Sequence, residues 1–269
     1  MRSGIDPAQN ITALVSGIAT AAKGSASMIF TPEMSGMLDS NRQRALSQIC
    51  AETQDPVLTA ICAAAKDYKI WVHLGSLALR SDQADDHSIN RGFVIDDCGR
   101  IRARYDKLHL FDVDLPTGES WRESAAFKAG DATIIVDTPI GPMGMAICYD
   151  LRFPALFAAQ SEAGAKILTV PSSFTVPTGT AHWHVLLRAR AIENACWVIA
   201  AAQSGTHEDG RSTYGHSLII NPWGEVVLDM GAGEGVGFAT LDLAEVDALR
   251  GRIPVLKHRR PIPKVTVYQ

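Results

Sequence analysis

The stretch "GMAICYDLRFPAL", residues 144–156, ends a short apolar run on Cys148, just ahead of a Tyr-Asp-Leu-Arg turn and a proline. A strand that ends in cysteine and turns sharply into a helix aims the thiol at the unpaired N–H groups of the first helical turn, where the dipole favours a thiolate. In that geometry the next backbone N–H, on Tyr149, points at the oxygen of a carbonyl under attack. Free cysteine is also among the most buried residue types, so on pattern alone a nucleophile and a packed thiol stand side by side. Cysteine nucleophiles usually work with histidine. Of the eight histidines, His182 and His184 in "AHWHV" sit two apart at a helix start and point in different directions. No His-x-x-x-His or other zinc spacing accompanies them, so neither a metal nor a cofactor is expected. The other candidates are Glu33, closing "SMIFTPE", and Lys107, closing "ARYDK", each where a strand delivers side chains to a sheet edge. Taken singly, each also reads as a solvated surface charge.

The elements that must position these residues follow from hydrophobic periodicity. "NITALVSGIATAAKGS" and "DPVLTAICAAAKDY" carry apolar residues at helical spacing, and each precedes a short apolar run. "RFPALFAAQSEAGA", with Pro154 in its first turn and Gly164 near its end, is a third helix, and "HWHVLLRARAIENA" a fourth. Strands are expected at "SMIFTPE", "IWVHLGSLAL", "NRGFVIDD", "IRARYDK", "ATIIVDT", "GMAIC", "KILTVPS", "CWVIAAAQ", "YGHSLIINP" and "GVGFATLDL". "DDCGR" and "NPWGE" supply hairpin turns. Helices alternating with strands, with hairpins between, predict an α/β layered fold on mixed sheets. No repeat or Gly/Ser/Pro-rich linker divides the chain, which predicts one domain over residues 1–269.

Composition narrows the function classes. The 269 residues are 46% hydrophobic and 20% charged, an ordinary globular balance, with a net charge of −4 and no basic stripe for phosphates, so no nucleic acid is expected as a partner. No apolar run is long enough to span a bilayer and "MRSGIDPAQN" has no apolar stretch behind its single arginine, so the expectation is no membrane and a cytoplasmic address. Five cysteines without C-x-x-C spacing argue against both a disulfide framework and a thiolate metal site. "GPMGMA" precedes its strand rather than following it, which counts against a phosphate loop and a nucleotide-binding domain.

"FTPEM", "YDKLHLFD" and "GMAICYDLRFPAL" resemble, in order and spacing, the Glu, Lys and Cys motifs of the nitrilase superfamily of carbon-nitrogen hydrolases, and the resemblance runs from about Gly4 to the C-terminus. It implies a four-layer αββα sandwich, usually assembled as a homodimer or higher homo-oligomer, and a small-molecule amide as substrate. It also implies roles. Glu33 serves as base, Lys107 as oxyanion stabiliser beside the Tyr149 N–H, Cys148 as nucleophile, and Glu123 of "WRESAAF", with Glu119 as the alternative, as the holder of Lys107. The downstream stretches "HWHVLLRARAIE" and "VIAAAQSGTH" are similar to the branch containing deaminated-glutathione amidase and omega-amidase, and closer to the former. Where relatives of that branch usually carry Glu after "AHW", this chain has His184. Such substrates end in a keto-acid carboxylate, so an anchor is expected near the thiol. Arg152 is a candidate, its alternative being an ion pair with Asp150 or a neighbouring carboxylate that fixes the turn. Ser173, Phe174 and Thr175 are expected to line the pocket. Nitrilase, N-carbamoyl hydrolase and a non-catalytic metabolite-binding member remain as alternatives. In the family a strand precedes the "SGIDPAQN" turn, from which we expect a natural product extended upstream by about 5 to 10 residues and, without them, a loosened sheet around Glu33.

Overall fold

In the computed structural model, which describes residues 1–81, 87–116 and 118–268, two mixed sheets stack face to face with helices on both outer faces. Helix α1 (Pro7–Lys23) begins where Asp6 accepts the Ala8 N–H and Pro7 presets the first turn. It is followed by β1 (Met28–Phe30), α2 (Arg42–Gln48), α3 (Pro56–Tyr68), β2 (Trp71–Arg80), β3 (Ser88–Ile95) and β4 (Ile101–Asp106). A short ribbon, β5 (Asp112–Asp114) with β6 (Ser120–Arg122), leads to β7 (Phe127–Lys128). The second half supplies β8 (Ile135–Thr138), β9 (Gly141–Met145), α4 (Pro154–Glu162), β10 (Ile167–Thr169), α5 (Val176–Asn194) and β11 (Trp197–Ala200). The ribbon β12 (Ser204–Thr206) with β13 (Ser212–Tyr214), then β14 (Leu218–Ile220), β15 (Val226–Asp229), α6 (Ala244–Arg252) and α7 (Val255–His258) complete the chain.

The first sheet runs β1-β2-β3-β4 with β7 on β3, and the second β15-β14-β11-β10-β9-β8. Alternation sorts the side chains of each strand between two faces. Leu74, Phe93 and Ile95 meet Leu14 and Ile18 of α1 and Leu58 and Ile61 of α3 on the outer face of the first sheet. Met28, Val94 and Tyr105 turn inward into the same cluster as Met143, Met145 and Ile167, while Phe157 of α4 and Trp183 and Leu187 of α5 cover the far side. These are the four layers of an αββα sandwich.

Both expected hairpins form. Gly99 at φ +76° closes the β3–β4 turn and Gly224 at φ +90° the β14–β15 turn, a backbone region that a side chain disfavours. Three readings need correction. The helix placed over "HWHVLLRARAIENA" starts earlier, at Val176, because Pro177 in its first turn opens the helix rather than ending a loop. "GVGFATLDL" forms no strand. Its backbone is tied down by Trp197 Nε1 donating to the Asp242 carbonyl, and Val236, Leu241 and Leu243 drop into the two cores one by one. Helices α2, α6 and α7 were not expected; α6 and α7 are short and polar, α6 burying only Val246, and α2 buries none of its residues.

On the side of β1 away from β2 no strand pairs among the described residues, and a groove of about 970 Å³ runs there between Met28, Phe30, Ala201 and Leu218. Residues 1–3 lie beside it, with the Ser204 N–H donating to the Met1 carbonyl and the Ser3 N–H to Gln203 Oε1. The segment carrying Glu33 is nonetheless well held, as the site geometry shows.

His73 on β2 is wholly buried, beside Phe30, and burial drives its pKa down to about 3. Its folded value therefore lies below the unfolded value of about 6.5, so the unfolded chain takes up a proton that the folded chain refuses. The stability this represents is present above pH ~6.5 and is lost as pH falls toward ~3, at about 1.4 kcal/mol per unit. Urea unfolding between pH 7 and 5 is expected to show this slope, and His73→Gln to reduce it by about one proton.

Candidate active site

Glu33, Lys107, Cys148 and Ser173 lie just past the carboxyl ends of β1, β4, β9 and β10, so four strand ends from two sheets meet at one edge of the sandwich. Around Glu33 the chain leaves the ladder and is re-anchored on an irregularity in β2 between Leu74 and Leu77. Gly75 N–H donates to Thr31 Oγ1, Met34 N–H to Ser76 Oγ, and Ser35 N–H to the Ser76 carbonyl. Gly75 makes this approach possible, since a Cβ there would lie 2.1 Å from the Thr31 carbonyl oxygen.

Three donors converge on the Glu33 carboxylate. Lys107 Nζ (2.8 Å) and Asn90 Nδ2 (3.0 Å) reach Oε1, and the Ser173 N–H (2.9 Å) reaches Oε2. Lys107 in turn lies 3.0 and 2.9 Å from the two oxygens of Glu123, whose Oε2 also accepts the Phe111 N–H at 2.7 Å. Lys107 is 2% exposed, so only its two carboxylate partners make the charge tolerable there, and together they hold its pKa well above the ordinary value despite desolvation. Glu119, the alternative to Glu123, instead takes the Trp121 indole N–H at the surface.

Cys148 sits at φ +50°, a strained conformation for a side-chain-bearing residue, and its own N–H is spent on the Pro171 carbonyl. The Tyr149 N–H enters no hydrogen bond found among the described residues, and so remains free to meet a substrate oxygen. The expectation of a dipole-stabilised thiolate is corrected. The sharp turn leads into a single 3-10 turn, Cys148–Arg152, ahead of α4, and burial, reinforced by the Glu33 carboxylate, pushes the thiol pKa well up; Lys107 and the Ser173 N–H oppose this only in part. The thiol is thus buried beside the Glu33 carboxylate.

Asp150 fixes the turn. Its buried carboxylate accepts from the Tyr105 hydroxyl (2.7 Å), the Ile147 N–H (2.8 Å) and the His109 N–H (3.0 Å), with His109 Nδ1 at 2.7 Å. Tyr105 and His109 flank Lys107 in sequence, so one carboxylate ties the nucleophile's turn to the lysine's segment. Asp150 thus makes no ion pair with Arg152. Arg152 lies outside the cavity lining, against His182 Nδ1 at 3.2 Å and over the Tyr149 and Phe174 rings. Among the described residues it makes no ion pair with a carboxylate, and it does not line this cavity.

Above the thiol lies a cavity of about 360 Å³, the size of a small-metabolite site. Tyr149, Ser173, Phe174 and Thr175 line it with Glu33, Lys107, Glu123 and Cys148, and the buried Ser173 Oγ has no partner among the described residues. Sequence reasoning missed Asn90, which bridges the two glutamates, and the cations at the outer wall. Arg122 and Arg211 there are already paired with Asp114 and Asp209, whereas Arg42, in the first turn of α2, has no acidic partner among the described residues. An unpaired cation on a cavity wall was the available signal, but it needs the fold to bring α2 over the cysteine.

A family model for carbon-nitrogen hydrolases matches residues 2–251. The chain is 41% identical over 261 residues to the nitrilase and fragile histidine triad fusion protein NitFhit of Caenorhabditis elegans, a match covering 97% of this chain and 59% of that protein, so it spans less than two thirds of that relative's length. It is 36% identical over 234 residues to the deaminated glutathione amidase of Yersinia enterocolitica, covering 87% of this chain and 82% of that one. The crystal structure of the C. elegans NitFhit protein superposes with a TM-score of 0.90 over 97% of this chain and 63% of the other. That of Saccharomyces cerevisiae Nit3, a member of branch 10 of the nitrilase superfamily, is 27% identical and superposes with a TM-score of 0.85 over 96% and 93%.

Proposed function

Because the chain belongs to the carbon-nitrogen hydrolase family, we propose that it is an amidase in which Cys148 attacks the amide carbonyl of a small substrate bearing a distal carboxylate, deaminated glutathione ahead of α-ketoglutaramate. The observation that carries this reading is the pair of contacts that Lys107 makes with Glu33 and Glu123 beside a buried Cys148 at the floor of one cavity. Glu33 takes the thiol proton as sulfur bonds to the carbonyl carbon, and the resulting oxyanion lies between the Tyr149 N–H and Lys107 Nζ. As the C–N bond breaks, Glu33 passes the proton to the departing nitrogen, leaving a thioester on Cys148. Water then enters, gives a proton to Glu33 and attacks the thioester, releasing the acid and restoring the thiol. Glu123 and Asn90 keep Lys107 and Glu33 in place throughout.

Arg42 replaces Arg152 in this account as the anchor for the carboxylate. A charge-assisted contact of that kind contributes about 1.5 to 3 kcal/mol, or roughly tenfold to hundredfold in binding. Arg42→Ala is expected to raise KM for a keto-acid ω-amide by that factor with little change in kcat, and to leave a neutral amide of equal length unaffected. A panel of deaminated glutathione, α-ketoglutaramate, a simple nitrile and an N-carbamoyl amino acid, read by amine or ammonia release, tests the substrate class; highest rates on the last two refute it.

The assembly we propose is a homodimer across the outer face of α5, where Val185, Ile192, Trp223 and Val227 expose large apolar surface. Sedimentation of the wild-type chain is expected to give a dimer and Val185→Glu/Ile192→Glu a monomer; an unchanged mass in the variant contradicts this face. Among the described residues no helix is long and apolar enough to cross a membrane, and all five cysteines are unpaired, which supports a reducing, cytoplasmic setting.

A further inference from the structure

We propose that His184, His216 and Asp229 form a binding site for one divalent transition-metal ion of the zinc type, apart from the catalytic cysteine. The three residues come from three elements: α5, the segment between β13 and β14, and the last position of β15. Their candidate ligand atoms all lie within 4.8 Å of one another. His184 Nε2 stands 3.1 Å from Asp229 Oδ2, and His216 Nδ1 stands 2.9 and 3.1 Å from the two Asp229 oxygens. A tetrahedral zinc with ligands at ~2.0–2.1 Å needs them roughly 3.3 Å apart, so closing the group around an ion asks for small side-chain rotations and no backbone movement.

The set is also built as ligand sets are built, with each member oriented by a neighbour. His216 is fixed in a left-handed conformation, φ +55°, by its N–H donating to the Gly231 carbonyl and by Trp183 Nε1, on a buried ring, donating to its own carbonyl. Its ring is stacked on Tyr214 at 4.5 Å between centroids. Asp229 Oδ1 accepts the Gly231 N–H at 2.8 Å, which leaves Oδ2 turned to the two imidazoles. The ring nitrogens on the far sides, His184 Nδ1 and His216 Nε2, have no hydrogen bond among the described residues. Each ring can therefore carry its proton there and present a bare nitrogen inward. All three side chains remain a quarter to a third exposed, giving an ion a path of entry and a fourth position for water. Two imidazoles and a carboxylate suit zinc, cobalt or nickel over calcium or magnesium.

Occupancy would clamp α5 to the strand pair beyond it. Tyr214, stacked on the ligand His216, directly follows Thr213, which lines the reaction cavity, and its N–H donates to the carbonyl of Phe174, another lining residue. The ion therefore stiffens that lining without touching the substrate. Spacing along the sequence gave no sign of this site because only the fold brings positions 184, 216 and 229 together.

The test uses the 269-residue protein carrying Cys148→Ala, which removes the thiol as a competing ligand, stripped with chelator and titrated with zinc chloride. We expect one ion per chain with a dissociation constant in the micromolar range or tighter, and a rise in melting temperature on binding. His184→Gln and Asp229→Asn should each weaken the titration by at least tenfold and abolish the melting shift. Cobalt should show tetrahedral visible absorption in the Cys148→Ala protein that His184→Gln lacks. The variants' melting temperatures without metal report whether they fold. Absence of binding in the Cys148→Ala protein overturns the proposal, as does binding that folded His184→Gln retains in full.

Discussion

Replacing Cys148 by alanine is expected to lower amide turnover by about 10⁴-fold or more while changing the unfolding free energy by no more than about 1 kcal/mol. The two effects separate because the thiol lines a cavity, where its removal disturbs little packing, whereas in the proposed mechanism it is the nucleophile. Its N–H bond to the Pro171 carbonyl and its left-handed φ are backbone properties that alanine shares with cysteine. What is lost is the sulfur that, in the proposed mechanism, Glu33 deprotonates. Comparable losses of turnover and of stability would mean that the residue acts through the fold of the turn, and near-wild-type turnover would place the nucleophile elsewhere.

Lys107→Met is expected to act on both quantities. Without the ammonium, Glu33 and Glu123 face each other in a buried space around the shared Asn90, and at least one must take up a proton to remain there. Loss of the buried partner should cost about 3 to 5 kcal/mol of stability. Loss of the oxyanion donor should cost a further factor of about 10² to 10³ in kcat. The double variant Lys107→Met/Glu123→Gln distinguishes these effects, because neutralising the second carboxylate relieves the repulsion and leaves the missing donor missing. Stability is expected to return in part and activity not at all. Recovery of both would make Lys107 a structural ion-pair partner only.

Glu33, Lys107 and Cys148 stood out in sequence as candidates because each lies just past a strand, beyond β1, β4 and β9, but their roles came only from the resemblance of the three motifs to the family. A strand end is a short-range property, and so are the two glycine hairpins and the apolar faces of α1 and α3. Other features depend on residues far apart. Asn90 looks like an interior strand residue until the sheet sets it between two glutamates. Arg42 belongs to a helix with no buried face, which no hydrophobic period announces, and Arg152 turned toward His182 because Asp150 was already committed to Tyr105, Ile147 and His109. The state of the thiol was misread for a related reason. Local geometry suggested a dipole, whereas burial and a carboxylate 115 positions earlier in the chain decide it. "GVGFATLDL" has the composition of a strand, but its backbone is held by a tryptophan side chain instead of a ladder.

The central claim is that Cys148 becomes acylated during turnover. Rapid acid quench within the first turnover of a keto-acid ω-amide, followed by peptide mass spectrometry, tests it directly. The account predicts the acyl mass on the peptide containing Cys148, with one equivalent of amine released and the other four cysteines unmodified. An acyl group on a different residue, or hydrolysis at full rate by the Cys148→Ala protein, would contradict it.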